Sequence, residues 1–299
     1  MTCCPSSARK SKCSRATVEA GGKRGEVCEF DGGSFITGTL KPFFPQDGEG
    51  ARRRVKIRPF ALEETAVSTQ RFASFVAATG YVSTAESLGE SFVFQSHLGS
   101  IDPSARLPQT PWWVRVPGAH WAAPFGPGSD WRDEPESPVR HVSFFDARVF
   151  SQWCGGRLPT EAEWEFAASG GRSDRLYPWG GGEAGVEMLN VWQGRFPDEP
   201  QNPPRTLPVR QGLPQNKRLW HMVGNVWQWT ADAFRTRSLS RLTKERDHAA
   251  QAERQRVLKG GSYLCHPSYC WRYRIAARSG ASPDSTTSHI GFRVAYEGA

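Results

Sequence analysis

Apolar and polar positions along the chain predict a few short elements separated by long irregular stretches. Val55-Lys56-Ile57-Arg58 alternates apolar and basic residues, the period of a half-buried strand. Gly32-Gly33-Ser34-Phe35 reads as a turn entering a strand, with globular sequence starting near Phe30. Phe72, Phe75 and Val76 share one helical face, with Ser68 or Thr69 as cap and Gly80 past the end. A second helix is expected from Phe144 to Cys154, with Ala147, Phe150 and Trp153 or Cys154 inward. A third opens on a capping box, Thr160 with Glu163, and closes at Gly170-Gly171. Glu161, Glu163 and Glu165 fall in its first turns, where the helix dipole accounts for them without chemistry. Residues 97–140, full of Pro and Trp, read as loop. Residues 235–259 are charged and poor in apolar residues, and read as a surface excursion.

Residues 1–28 are basic, small and low in apolar content, the signature of a disordered tail. No repeat and no linker divides the remainder of the chain, so residues 29–299 are expected to form one domain.

Composition sharpens this picture. Hydrophobic residues are only 38 % of the 299, yet twelve Trp and seventeen Phe supply large burial each. Thirty Gly and twenty-two Pro make much of the chain turn and loop. No apolar run is long enough to cross a bilayer, so no membrane role is expected. The net charge of +8 is scattered and accompanied by no nucleic-acid-binding motif, which argues against a nucleic-acid partner. Seven cysteines, an odd number, argue against a fully paired secreted framework. Cys3, Cys4, Cys13 and Cys28 lie in the tail at no common zinc spacing, and Cys154 reads as inert core. The tail has no apolar signal region, so a cytoplasmic, bacterial protein, active as a monomer, is the expected setting.

Cys265 and Cys270 remain, in Gly260-Gly261-Ser262-Tyr263-Leu264-Cys265-His266-Pro267-Ser268-Tyr269-Cys270-Trp271-Arg272-Tyr273-Arg274. The Pro is expected to break any helix through the loop, so that both thiols turn toward one point. Arg272, Arg274 and Arg278 place positive charge nearby, which favours thiolate. Two thiolates on a short loop suit a soft ion such as Cu(I). On spacing alone a local disulfide and a pair of inert buried thiols stand beside that reading.

The surrounding residues resemble the formylglycine-generating enzymes, the sulfatase-modifying factors. The resemblance lies in Leu258 to His266, Ser268-Tyr269-Cys270, Arg272-Tyr273-Arg274, Ala276-Ala277-Arg278-Ser279, Pro283-Asp284-Ser285 and Gly291-Phe292-Arg293. Arg157 to Glu165 and Gly224-Asn225-Val226-Trp227 resemble the wider superfamily, and Thr79-Gly80-Tyr81 with Ser91-Phe92-Val93-Phe94 the true enzymes. The resemblance implies an α+β fold related to C-type lectin modules, with little regular secondary structure. It implies oxidation by O2 of a cysteine in Cys-x-Pro-x-Arg of an unfolded sulfatase to Cα-formylglycine. Cys265 and Cys270 would hold Cu(I), with Ser262 and Tyr269 beside the oxygen pocket. Glu90 stands at the acidic position near the substrate arginine, and Trp112, Trp113 and Gly118-Ala119-His120-Trp121 look like cleft residues. Arg274 and Arg278 would organise the site, and Arg274 and His289 are placed on the substrate side. His289 stands where relatives have Asn, and could bring a pH dependence they lack.

The resemblance also implies two calcium sites, and here the chain departs from it. Asn190 and Val191 match the first, but the loop after them is shortened to Asp198-Glu199-Pro200-Gln201-Asn202-Pro203-Pro204. Gly224 and Val226 match the second through backbone carbonyls, with His221 and Gln228 where Asn and Glu are usual. Calcium wants several oxygen ligands, usually carboxylates, so weak or absent calcium dependence is expected. A lectin-like binding module of the same fold is the alternative function. An iron-dependent sulfoxide synthase needs clustered His, and no two of the seven here lie within four positions.

Overall fold

The computed structural model describes residue 5 and residues 18–182, 188–236 and 241–298. Helices form where the caps predict them. α1 (Thr69–Thr79) begins where Ser68 Oγ accepts from the Arg71 amide (3.4 Å) and ends at Gly80, left-handed at φ 64°. α2 (Thr84–Leu88) is a further short turn of helix, opened by a Ser83–Glu86 capping box. α3 (Phe144–Trp153) and α4 (Glu161–Ser169) carry the capping boxes Ser143–Asp146 and Thr160–Glu163.

The sheets are small. β4 (Phe60–Glu63) lies between β1 (Val27–Phe30) and β14 (Ala295–Glu297), joining early and late segments of the chain. β2 (Gly33–Thr37) pairs with β3 (Arg53–Ile57). β7 (Thr110–Pro117) lies between β5 (Glu90–Phe94) and β6 (Arg106–Leu107), with Phe94 opposite Trp113. β8 (Gly194–Arg195) and β9 (Glu199–Pro200) make a small hairpin. A mixed sheet runs in the order β12 (Ser279–Ala281), β11 (Arg256–Lys259), β10 (Trp227–Ala233), β13 (Ile290–Gly291). With six helices among the described residues, this is the expected α+β architecture.

One aromatic core ties these parts together. Phe72 of α1 stacks on Phe150 of α3 at 5.8 Å, and Phe150 meets Phe292 at 5.3 Å. All three are fully buried, which contributes about 2–3 kcal/mol each in apolar transfer. A second cluster, Phe92, Phe94, Trp113, Trp192, Tyr263 and Leu264, packs beside the cysteine loop.

Several sequence expectations need correction. The tail boundary at residue 28 falls inside β1, and the chain is engaged upstream of it. Gly21 and Gly22 donate to the Trp153 carbonyl, and Gly25 donates to Glu63. Cys28 is buried, whereas Cys3, Cys4 and Cys13 lie outside the described residues. Residues 97–140 contain the eight-residue β7. Residues 235–259 contain α5 (Arg241–Ala252) and the buried β11. The acids of α4 are ion-pair partners more than dipole partners. Glu163 binds Arg157 at 2.7 Å, Glu165 binds the buried Lys259 at 2.8 Å, and Glu161 binds Arg278 at 2.7 Å.

Candidate active site at the paired cysteines

The Pro of the cysteine loop does not break a helix; it starts one. Pro267 occupies the first turn of α6 (Pro267–Cys270), where its missing N–H costs nothing. His266 caps this turn by accepting from the Ser268 amide at 3.2 Å. The turn brings Cys270 back over Cys265, and the Cys270 amide donates to the His266 carbonyl at 2.8 Å. The two Sγ atoms stand 3.0 Å apart, each buried to within 1 %. That is contact distance, well beyond the roughly 2.05 Å of a disulfide.

Cys265 is held by its own loop. Its Sγ accepts from the Ser262 amide at 3.4 Å, and its carbonyl accepts from Trp192 N at 3.0 Å. Gly261, at φ 70°, lets the chain pass the sulfur, because a Cβ there would lie 3.2 Å from it. Ser262 Oγ accepts from the Leu264 amide at 3.3 Å and is fully buried.

A small cavity opens on the sulfurs, lined chiefly by Phe94, Trp112, Phe196, Ser262, Tyr269 and His289. Its volume of about 10 Å³ admits no more than one water-sized molecule. Phe196 stacks flat on Tyr269 at 4.4 Å, and Trp112 meets Tyr269 edge-on at 5.1 Å. A peptide thiol therefore reaches the sulfurs only when this aromatic group parts. Phe196 had no signal in the chain beyond lying near the shortened loop, and sequence reasoning missed it.

Of the residues expected to meet substrate, Trp112 and Trp113 belong to the lining. His289 does too, buried, with Nδ1 2.6 Å from Thr287 Oγ1 and its ring 4.6 Å from that of Trp113. Glu90 lies on the same strand face as Phe94, four residues away, and is paired with the half-exposed Arg115 at 3.5 Å. Arg274 is not among the residues lining this cavity. It is 2 % exposed on its side chain, and Glu49 holds it through two hydrogen bonds of 2.6 and 3.1 Å. Arg272 is bound by Asp47 and Arg278 by Glu161. Each arginine thus meets a carboxylate, so the expectation of excess positive charge near the thiols is corrected.

The site offers two soft sulfur donors. Among the described residues no group of three His, Cys, Asp or Glu converges to hold a metal. Two sulfurs without hard donors fit a soft ion of low coordination number and do not fit tetrahedral zinc or calcium.

A family model described as the sulfatase-modifying factor enzyme 1-like domain matches residues 16–297. The chain belongs to this family. The formylglycine-generating enzyme of Thermomonospora curvata is 46 % identical over 277 residues, covering 89 % of this chain and 91 % of that one. A Mus musculus relative, 39 % identical over 88 % of this chain and 83 % of its own, is named inactive C-alpha-formylglycine-generating enzyme 2. Membership of the sulfatase-modifying factor family therefore does not by itself establish turnover. PvdO from Pseudomonas aeruginosa superposes with a TM-score of 0.62 at 22 % identity, over 97 % of this chain and all of that one, a likeness of fold.

Where this family chain departs at the expected cation positions, neutral groups occupy the space. Gln228 Nε2 donates to the carbonyls of His221 (2.9 Å) and Met222 (3.1 Å). Its Oε1 accepts from Trp164 Nε1 (2.9 Å) and Arg293 Nε (2.8 Å). Gly224 N bonds to the Gly260 carbonyl, and Val226 is buried. Asn190 Nδ2 donates to the Arg205 carbonyl at 2.9 Å and to Asn225 Oδ1 at 3.0 Å, and Val191 is buried beside it. Asp198 accepts from Gln95 and Glu199 pairs with Arg195, each away from Asn190.

Proposed function

We propose that this chain oxidises a cysteine within Cys-x-Pro-x-Arg of an unfolded sulfatase to Cα-formylglycine, with O2 as oxidant and Cu(I) held by Cys265 and Cys270. The observation that carries this reading is the pair of buried, convergent sulfurs at the floor of an aromatic cavity. Copper, when bound there, supplies the one-electron and oxygen chemistry that no side chain provides. Calcium has no part in this proposal, and the protein acts in the cytoplasm as a monomer.

The chain's own residues do the rest. The tight aromatic lining leaves room for no more than one water-sized molecule beside the sulfurs, which strengthens charge interactions inside. Ser262 and Tyr269 place hydroxyl groups on that lining, where charge developing on oxygen is stabilised. From Phe94 to Glu90 the strand runs about 13 Å, at ~3.3 Å per residue. Arg stands four positions after Cys in the substrate motif, at most about 14 Å of extended chain. An extended peptide with its thiol at the cavity thus has the reach to bring its arginine to Glu90, passing outside β5, whose residues Ser91–Phe94 are themselves buried. There it replaces Arg115, whose exposed pairing is weak. The balance is one substrate thiol, one O2, two electrons and two protons, giving aldehyde, hydrogen sulfide and water. A thiol reductant supplies the two electrons and is oxidised to a disulfide.

The test is incubation of the copper-loaded protein with a Cys-x-Pro-x-Arg peptide, a thiol reductant and air, followed by mass spectrometry. Aldehyde is expected in the complete mixture and none after copper is removed by a chelator. Peptide binding without any aldehyde would favour the non-catalytic, lectin-like alternative.

A further inference from the structure

Cys265 is positioned by its neighbours, and the segment after Cys270 is held by contacts of its own, among them Trp271 Nε1 donating to the Tyr177 hydroxyl at 3.0 Å. That segment makes an inverse γ-turn at Trp271 (φ −72°, ψ 53°), which returns the Arg272 amide to the Cys270 carbonyl at 2.6 Å. The next link is remote. Arg274 Nε donates to the Trp271 carbonyl at 2.8 Å, while its two terminal nitrogens grip Glu49. Arg272 gives Nε to Asp47 Oδ2 at 2.8 Å and Nη2 to the same oxygen at 2.6 Å. The two acids lie 225 residues upstream of their partners, on the turn Phe44-Pro45-Gln46-Asp47-Gly48-Glu49.

The turn itself is built to hold them. Pro45–Asp47 forms a single 3-10 turn ended by Gly48 at φ 81°. A Cβ on Gly48 would fall 2.7 Å from the Thr236 carbonyl, so only glycine lets the two acids flank this point. Glu49 also accepts from the Phe44 amide, a second hold on its carboxylate besides Arg274. Aromatic rings close the remaining sides. Phe44 lies 3.9 Å from the Arg272 guanidinium carbon, and Phe43 meets Trp271 edge-on at 4.7 Å. Glu49 and Arg274 are almost completely excluded from water, where bidentate pairing is strongest and most directional.

We infer that Asp47 and Glu49 are positioning residues for Cys270: through Arg272 and Arg274 they fix the γ-turn that aims its sulfur at Cys265. The inference rests on the proposed reading only for its effect on turnover; its geometry concerns the thiol pair alone. Neither acid touches the sulfurs, and neither is catalytic.

The test uses Asp47→Asn, Glu49→Gln and, as a milder variant if those fail to fold, Phe44→Leu. Glu63→Gln, which breaks the pair of a buried carboxylate with the part-exposed Arg71, serves as control. The first readout needs no metal: the oxidation equilibrium of Cys265 and Cys270 in a glutathione buffer, followed by alkylation and mass spectrometry. Loosening Cys270 lowers the effective concentration of one sulfur at the other. A shift of about tenfold toward the dithiol is expected for Glu49→Gln and Asp47→Asn, and about threefold for Phe44→Leu. The control should stay within twofold of the parent. In the second readout, peptide turnover, kcat should fall by the larger factor while KM changes less than twofold. A folded variant with the parent's glutathione equilibrium, or a control shifted as far as Glu49→Gln, overturns the inference. If the parent forms no aldehyde, the proposed function fails while the glutathione equilibrium still decides the role of these acids.

Discussion

Gly260 and Gly261 are adjacent, both left-handed, and face two regions that solve opposite problems. A Cβ on Gly260 would sit 2.5 Å from the Met222 carbonyl and 3.4 Å from Gln228 Nε2. A Cβ on Gly261 would sit 3.2 Å from Cys265 Sγ and 3.1 Å from Tyr273. On the first side lies a closed cluster. Gln228 spends both ends of its amide on partners, and the buried Arg293 donates to the carbonyls of Glu63, Glu64, Trp220 and His221. Burial depresses the Arg293 pKa to about 10, and carbonyl dipoles together with Gln228 accommodate the charge. On the other side, two sulfurs meet at the edge of a cavity. Polar groups committed to one another make structure, whereas groups that converge on a space make a site.

The largest effect is expected at the sulfurs. Cys265→Ser and Cys270→Ser should each abolish turnover and tight Cu(I) binding, since a hydroxyl is a hard, protonated substitute for a soft thiolate. Either variant keeping parental turnover with copper removed would refute the dithiolate.

The two glycines separate the regions directly. Gly260→Ala must strain a φ of 93° and overlap a backbone carbonyl. The expected loss is about 3 kcal/mol, from backbone strain plus overpacking. Gly261→Ala carries similar strain but presses on Cys265 and Tyr273. Urea unfolding should show both losses, while Cu(I) competition should weaken more for Gly261→Ala than for Gly260→Ala. Equal effects on copper would erase the difference between the two sides.

Acid should attack the closed cluster. His221 is pushed down to about 4 by burial and by Arg293, against about 6.5 when unfolded. Between those values the unfolded chain binds the extra proton, so stability rises with pH. The contribution is fully present above about pH 6.5 and is lost as pH falls toward 4, up to about 3 kcal/mol. Replacing His221 by Asn should flatten the urea midpoint across that window. An unchanged slope would mean that other groups govern it: His97, which burial pushes to about 3, and the fully buried His141, pushed well below its usual value.

A smaller effect is expected at the cleft. Glu90→Gln should raise peptide KM about tenfold with kcat unchanged, the loss of a charge-assisted pair of about 1.4 kcal/mol. A substrate peptide with Arg replaced by Gln should lose nothing further on that variant. Additive losses would place the arginine elsewhere.

Helices α1 and α4 were legible because their caps are local: Ser68, Thr160 with Glu163, Gly80 and Gly170 each act within one turn. β7 was not, since Trp113 and Val114 are both buried and break the alternation, with Pro at positions 111 and 117. α5 was hidden because Thr243 and Ala250, small and weakly apolar, are among its inward positions. The cysteine pair was visible, and so was its convergence. The acids that neutralise Arg272 and Arg274 were invisible, because only the fold joins positions 225 residues apart.

The smallest expected effect belongs to calcium. A calcium ion at the second position would need oxygen donors directed inward from His221, Gly224, Val226 and position 228. His221 has no side-chain oxygen. Gln228 could offer one, but Oε1 already accepts from Trp164 and Arg293, and Nε2 donates to the carbonyls of His221 and Met222. Seating the ion means giving up four hydrogen bonds and bringing a divalent charge near a buried guanidinium. At the first position the Asn190 amide hydrogens are turned to acceptors, and Asp198 and Glu199 are engaged elsewhere. The thermal midpoint should therefore be the same with millimolar calcium as with chelator. The variant Gln228→Glu sharpens the point: it removes both donated bonds and sets a carboxylate against two carbonyls, costing about 2–3 kcal/mol without calcium. A parental midpoint that climbs with calcium as mass action requires would overturn the closed-cluster reading. A rise in Gln228→Glu alone would show that one amide separates a cation site from a hydrogen-bonded plug.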